Sequence, residues 1–288
     1  MSSAPAASSA AIAALLEDYS MEMTGKDVDK LAEARTSIPA GTRINVTFLG
    51  NEDLQMRLDA ATAVVQSGFV PVPHISARRL GSQAQLEEYL AALQAVGASE
   101  NVFVVGGDPA TPEGPYEDSL AVIHSGVLQQ HGVRSVGVSG YPEGHPDIGD
   151  PVLWQAIDGK FAVLREQQLP GMIITQFGFD VAPVLAFAAA CRERGIDLPI
   201  RVGVPGPAGV KRLLGYAKRF GVGTSTSIAK KYGLSITNLM GTAGPDSFIR
   251  ELAEGYDPAR HGELKLHFYT FGGLEATADW VTEFRKKG

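Results

Sequence analysis

A closed (β/α)8 barrel, α/β in class, is the architecture this chain predicts, and three observations carry it. Eight short apolar runs recur along the sequence, and most stop abruptly at a cluster of polar or glycine residues. Amphipathic stretches separate them. The 288 residues hold eight strand–helix units comfortably, since barrels of this kind usually run to about 250 residues. In such a barrel the chemistry sits where the strands end, so the strand-end clusters are the place to read function.

The expected strands begin near Tyr19, Ile44, Phe69, Asn101, Ser135, Met172, Ile200 and Leu264. Runs such as Ile44-Asn-Val-Thr-Phe48, Asn101-Val-Phe-Val-Val105 and Met172-Ile-Ile-Thr-Gln176 are continuous and rich in β-branched residues. That pattern suits strands covered on both faces in a parallel sheet. Between strands three and four, Leu86, Tyr89, Leu90 and Leu93 form a helical stripe that Gly97 can end. After Asp108 the chain reads Pro-Ala-Thr-Pro-Glu-Gly-Pro-Tyr, a turn-rich loop able to fold over the barrel mouth. More than fifty residues separate strands seven and eight, and helices are expected over Val210–Phe220 and Asp246–Glu254. The segment beginning Gly221-Val-Gly-Thr-Ser between them is expected to be mobile.

No linker or shift of composition divides the chain, so a single domain over residues 1–288 is expected. Residues 1–14, rich in Ala and Ser, read as a flexible lead-in followed by a short helix and lack the pattern of a signal peptide. The chain is 44% hydrophobic and 20% charged, with a net charge of −7 and a pI near 5.4. This balance argues against nucleic acid or an anionic membrane as partner. No apolar run approaches the roughly 20 residues that span a bilayer. One cysteine, Cys191, fits a reducing compartment and falls on the apolar stripe of an expected helix, as a packed thiol. A cytoplasmic protein acting on a small molecule is the expected class; a homo-oligomer is compatible with it.

The strand ends supply the candidate chemistry. Glu22 stands inside the first apolar run, where a partly desolvated carboxylate is suited to donate a proton near neutrality. Strand two ends Val46-Thr47-Phe48, strand three Pro73-His74-Ile75-Ser76, strand four Gly106-Gly107-Asp108 and strand five Tyr141-Pro142-Glu143-Gly144-His145. Strand six ends Thr175-Gln176, and strand eight His267-Phe268-Tyr269-Thr270. Gly203, Gly206 and Gly209 have the wrong spacing for a Rossmann dinucleotide loop. A metal-dependent hydrolase would draw on His74, His145, His267 and Asp108, but the first strand offers no His-x-His.

Taken together, Ser20-Met-Glu22, Val46-Thr47-Phe48, Pro73-His74-Ile75, Gly107-Asp108, Tyr141-Pro-Glu-Gly-His-Pro146, Ile174-Thr-Gln-Phe177 and His267-Phe-Tyr-Thr270 resemble the methylenetetrahydrofolate reductases, in order and across nearly the whole chain. The resemblance implies an FAD-containing barrel that interconverts 5,10-methylenetetrahydrofolate and 5-methyltetrahydrofolate in one-carbon metabolism, generally with NADH or NADPH. It makes Glu22 the general acid, Asp108 a catalytic residue near both pterin and flavin, and Gln176 a folate ligand. Thr47, Phe48, His74, Gly107, Tyr141 and His145 would line the FAD site, with Asp158 and Arg165 on the helix after strand five as further cofactor contacts. A folate-dependent methyltransferase on a similar barrel is the alternative. The sequence also departs from the family: Glu22 is followed by Met-Thr-Gly-Lys, Gly106 stands where an Arg is frequent, and Gly273 and Gly215 replace expected polar residues. Lys211 or Arg212 would then be available to the folate tail.

Overall fold

A computed structural model describes residues 9–219 and 242–287. Its eight principal strands are β1 Ser20–Met23, β2 Arg43–Val46, β3 Val70–Ser76, β4 Asn101–Val105, β5 Ser135–Gly140, β6 Gly171–Thr175, β7 Ile200–Pro205 and β8 Leu264–Tyr269. They form a closed parallel barrel in which β1 lies between β2 and β8. Every expected strand is present, and each begins within one residue of its expected start. The register sets Ser20 opposite Arg43 on one side and His267 on the other, and Glu22 opposite Asn45.

Side chains alternate across each strand, and this divides the barrel into two environments. Met21, Met23, Ile44, Val46, Ile75, Val104, Val202, Leu266 and Phe268 join the main core beneath the surrounding helices. The alternate positions face the interior, where Val72, Phe103 and Ile174 form a small apolar layer. Gly203 on β7 has no room for a side chain: an added Cβ would lie 2.3 Å from the Thr175 carbonyl oxygen. The Thr175 hydroxyl accepts the Gly203 N–H at 2.8 Å, which draws β6 and β7 together.

The helices start where their caps predict. Asp53 accepts the Met56 N–H ahead of Leu54–Gln66, and Ser82 accepts the Gln85 N–H ahead of Gln83–Ala95. In the latter, Leu86, Tyr89, Leu90 and Leu93 are the buried residues, as their spacing requires. The β7–β8 connection contains helices Val210–Arg219 and Asp246–Gly255, with a two-residue antiparallel ribbon pairing Ala208–Gly209 with Thr242–Ala243. The segment beginning at Gly221, expected to be mobile, lies outside the described residues, as does Phe220.

At the N-terminus the helix begins at Ser9 and runs to Leu16, so residues 9–14 are not a flexible lead-in. Ile12, Leu15 and Leu16 are buried, and the helix packs against Asp246–Gly255 and β8. The Ala/Ser-rich composition concealed an apolar stripe too short to stand out. Cys191 is fully buried in helix Val181–Glu193, and desolvation pushes its thiol up to about 12, so it is the packed thiol expected. Among the described residues, no helix is long and apolar enough to cross a membrane.

Candidate active site

The interior positions near the strand C-termini bring together side chains from β1, β2, β3 and β8. Ser20 and Glu22 are two apart on β1 and so share one face. His267 on β8 sits between them: its Nδ1 is 2.9 Å from the Ser20 hydroxyl, and its Nε2 is 3.4 Å from Glu22 Oε2. The His267 side chain is 1% exposed and Glu22 17% exposed, so the chain of contacts runs from the interior out to the mouth. The Thr270 hydroxyl donates to the Glu22 backbone carbonyl at 2.5 Å and ties the two strand ends together. In this series the serine hydroxyl can fix the imidazole tautomer at Nδ1, which leaves Nε2 to meet the carboxyl of Glu22.

His74 lies next to this series. It is buried, and desolvation lowers its pKa to about 4, with the Glu22 charge acting in the opposite sense and His267 adding to the lowering. His74 is therefore a neutral imidazole at pH 7. The Asn45 amide sits 3.2 Å from its Nε2, in the arrangement where the amide donates and the ring accepts. The Phe103 ring meets it edge-on at 4.8 Å. Tyr269, one step beyond His267 on the same strand face, donates its hydroxyl to the Thr175 carbonyl at 3.1 Å. Burial, followed by the nearby Glu22 and Tyr141, holds its pKa well above the usual range, so it stays a phenol.

The remaining expected residues surround this centre to different degrees. The Thr47 hydroxyl is buried, with no hydrogen-bond partner among the described residues. Phe48 is held under the Arg57 guanidinium, 3.7 Å from its ring centroid. Gly107 adopts a φ of +95°, and an added Cβ would lie 2.3 Å from the Ser76 hydroxyl. Desolvation of the half-buried Tyr141 raises its phenol pKa, and His145 packs edge-on against it at 5.3 Å. A cavity of about 540 Å³ opens beside Tyr141, with Glu143, Trp154 and Phe187 in its wall. Gln176 follows directly after β6, its N–H donating to the Gly140 carbonyl at 2.8 Å.

Three expected residues stand apart. Asp108 is on the rim: its side chain is 78% exposed and is paired with Arg79 at 2.7 Å. Asp158 is paired with Arg194, at the end of the neighbouring helix, at 2.9 Å. Arg165 occupies the last turn of helix Asp150–Glu166, about 22 Å along the axis from its start. The sequence gives Ser20 no role of its own, His267 only that of a metal ligand in the hydrolase alternative, and no prominence to Asn45. Their contacts depend on strand neighbours far apart in sequence, Ser20 and His267 being separated by 247 in residue number. Among the described residues, no three His, Cys, Asp or Glu side chains gather as a metal site would require.

Comparison with known proteins places this arrangement. The plant protein "Methylenetetrahydrofolate reductase (NADH) 1" of Zea mays is 32% identical over 140 residues, covering 42% of this chain and 22% of that protein. Its namesake from Arabidopsis thaliana is 30% identical over 139 residues, with the same coverage. The matched stretch thus spans about a fifth of the length of these relatives. Among solved structures, an uncharacterized protein from Clostridium thermocellum, described as binding two copies of 5-methyl-5,6,7,8-tetrahydrofolic acid, shares the fold with a TM-score of 0.58. It is 12% identical, and the alignment covers 94% of this chain and 95% of that one. The family model of methylenetetrahydrofolate reductase matches residues 17–280, which include all eight strands and the Ser20–His267–Glu22 series, and the chain belongs to that family.

Proposed function

We propose that this protein is a flavin-dependent oxidoreductase interconverting 5,10-methylenetetrahydrofolate and 5-methyltetrahydrofolate, with NADH or NADPH as electron donor. The observation that carries the reading is the contact series from Ser20 through His267 to Glu22, which ends in a carboxylate at the mouth of a barrel matched by the family along its length.

FAD can be weighed against the residues present. The unpartnered Thr47 hydroxyl and the neutral imidazole of His74 fit the ring end of a flavin. The cavity beside Tyr141 gives room for the rest of the cofactor. Thr47, Phe48, His74, Gly107, Tyr141 and His145 would hold it. Asp158, paired with Arg194, and Arg165, in the last turn of its helix, are further candidates that the family resemblance adds to that set. When bound, FAD supplies the two-electron reduction.

The chain's own residues supply the proton. Opening the five-membered ring of the folate needs an acid at the bridging nitrogen, and Glu22 is the mouth-facing member of the series. Ser20 donates a hydrogen bond to His267 Nδ1, which turns the His267 Nε2 toward Glu22 and orients the carboxyl, and the proton that Glu22 delivers is regained from solvent at the mouth. The Tyr269 phenol and neutral His74 add no charge that would compete with the developing cation. Gln176, directly after β6, would hydrogen-bond the folate, as the family resemblance implies. A positioned proton donor of this kind contributes roughly 10²–10⁴-fold in rate.

The test is anaerobic incubation of purified, FAD-supplemented protein with 5-methyltetrahydrofolate. Bleaching of a retained flavin absorption band, with 5,10-methylenetetrahydrofolate formed, is expected. A protein that retains no flavin and converts no folate contradicts the reading.

A further inference from the structure

Three successive strand-end connections meet at one guanidinium. Arg79 lies in the single turn Ala77–Arg79 directly after β3. Its Nε and terminal nitrogen lie 2.9 and 2.7 Å from the same Asp108 oxygen, on the connection after β4. Another terminal nitrogen is 3.8 Å from Glu113 on the same connection. The plane rests on Gly50, after β2, where an added Cβ would fall 2.4 to 2.5 Å from the guanidinium. Backbone bonds run alongside: Arg78 donates to the Gly106 carbonyl at 2.9 Å, and Glu113 donates to the Arg78 carbonyl at 2.8 Å. Gly106, two residues before Asp108, offers no side chain to steady this carboxylate, so the cation comes from the neighbouring strand end.

We infer that Arg79 is a positioning residue that fixes the Asp108 carboxylate on the rim of the mouth and anchors the loop from Gly106 to Gly114. The planar fork of arginine suits this task, since it can address two carboxylates while lying flat on a glycine; an ammonium offers neither feature. Arg79 is 21% exposed against 78% for Asp108, so the anchor is the better-held member of the pair. The functional consequence rests on the role proposed for Asp108 in the folate reaction.

Two measurements keep the inference and that role apart. Hydrogen exchange of the amides of residues 106–114 reads the anchoring without turnover; Arg79→Ala and Arg79→Lys are both expected to speed exchange there and leave the barrel strands unchanged. A double-mutant cycle reads the consequence. Arg79→Ala is expected to lower kcat/KM for methylenetetrahydrofolate about tenfold through misplacement of Asp108, with a melting temperature within about 2 °C of wild type. Asp108→Asn with Arg79→Ala is expected to match Asp108→Asn alone. Unchanged exchange in Arg79→Ala, or additive losses in the cycle, would overturn the inference. Faster exchange together with wild-type turnover in Asp108→Asn would refute the role of Asp108 and leave the anchoring intact.

Discussion

The two ends of this barrel are built from the same strands and use their polar residues in opposite ways. At the floor, Asp18 takes a φ of +52° just before β1, and its carboxylate accepts from Arg43 at 2.6 and 2.7 Å and from Arg201 at 2.7 Å. Arg201 also donates to the Asp18 carbonyl at 2.6 Å. Lys265, at the start of β8, reaches the Ala14 carbonyl and Glu17. The floor thus joins β1, β2, β7 and β8 through oppositely charged partners, which secures the closure of the sheet. At the mouth, β1, β2, β3 and β8 present Glu22, Thr47, His74 and His267; the Thr47 hydroxyl is unpartnered among the described residues, and desolvation holds the His74 imidazole neutral. Arginine–carboxylate pairs secure the floor, whereas at the centre of the mouth the Glu22 carboxylate meets an imidazole at 3.4 Å.

The sharpest way to test this contrast is to remove the imidazole beside Glu22 while keeping its shape. His267→Gln retains hydrogen-bonding atoms near Ser20 and Glu22 but has no group that can take up or give a proton beside the carboxyl. Turnover of methylenetetrahydrofolate is expected to fall roughly 10²- to 10³-fold, with little change in the unfolding midpoint. Steady-state rates and thermal melting on the same preparation check both halves.

Acid should also distinguish the ends. The unfolded chain binds a proton at an ordinary histidine below about pH 6.5, whereas native His74 binds one only near pH 4. The unfolded state therefore holds more protons between these values, so the contribution of His74 to stability is lost as pH falls through that window and is absent below it. The expected loss is about 3 kcal/mol, because each pH unit across the window costs about 1.4 kcal/mol. Urea unfolding at pH 7 and pH 4 should show it in wild type and show a much smaller change in His74→Gln.

The smallest of these effects is at the floor. Arg201→Met removes a buried cation from Asp18, which keeps Arg43 as partner and is itself 45% exposed. The expected cost is about 2 kcal/mol, below that of breaking a fully buried pair. Activity per folded molecule should be unchanged, as denaturant midpoints measured alongside rates would reveal.

Much of this plan was legible from the order of residues. Continuous β-branched runs placed every strand, and the polar residues ending them placed Glu22, Thr47 and His74 at the mouth. What escaped depended on closure. Ser20 and His267 meet only because the first and last strands pair, and Asn45 faces His74 only through the register of β2 on β3. Asp158 and Arg165 rest on the family resemblance alone, and the helix that carries them advances about 5.4 Å along its axis with each turn, so they stand at different heights beside the barrel. Asp108 was correctly put at a strand end, but its partner came from another strand, which sequence spacing does not encode.

The most direct measurement is the single-turnover rate of 5,10-methylenetetrahydrofolate reduction by Glu22→Gln beside wild type, with each protein's FAD content determined. The account predicts folate binding close to wild type and a rate lower by roughly 10²–10⁴-fold, since the amide fits the site but has no acidic proton. A Glu22→Gln protein that reduces the folate at the wild-type rate would contradict the assignment of Glu22 as the acid and, with it, the reading of the mouth as a proton-delivering site.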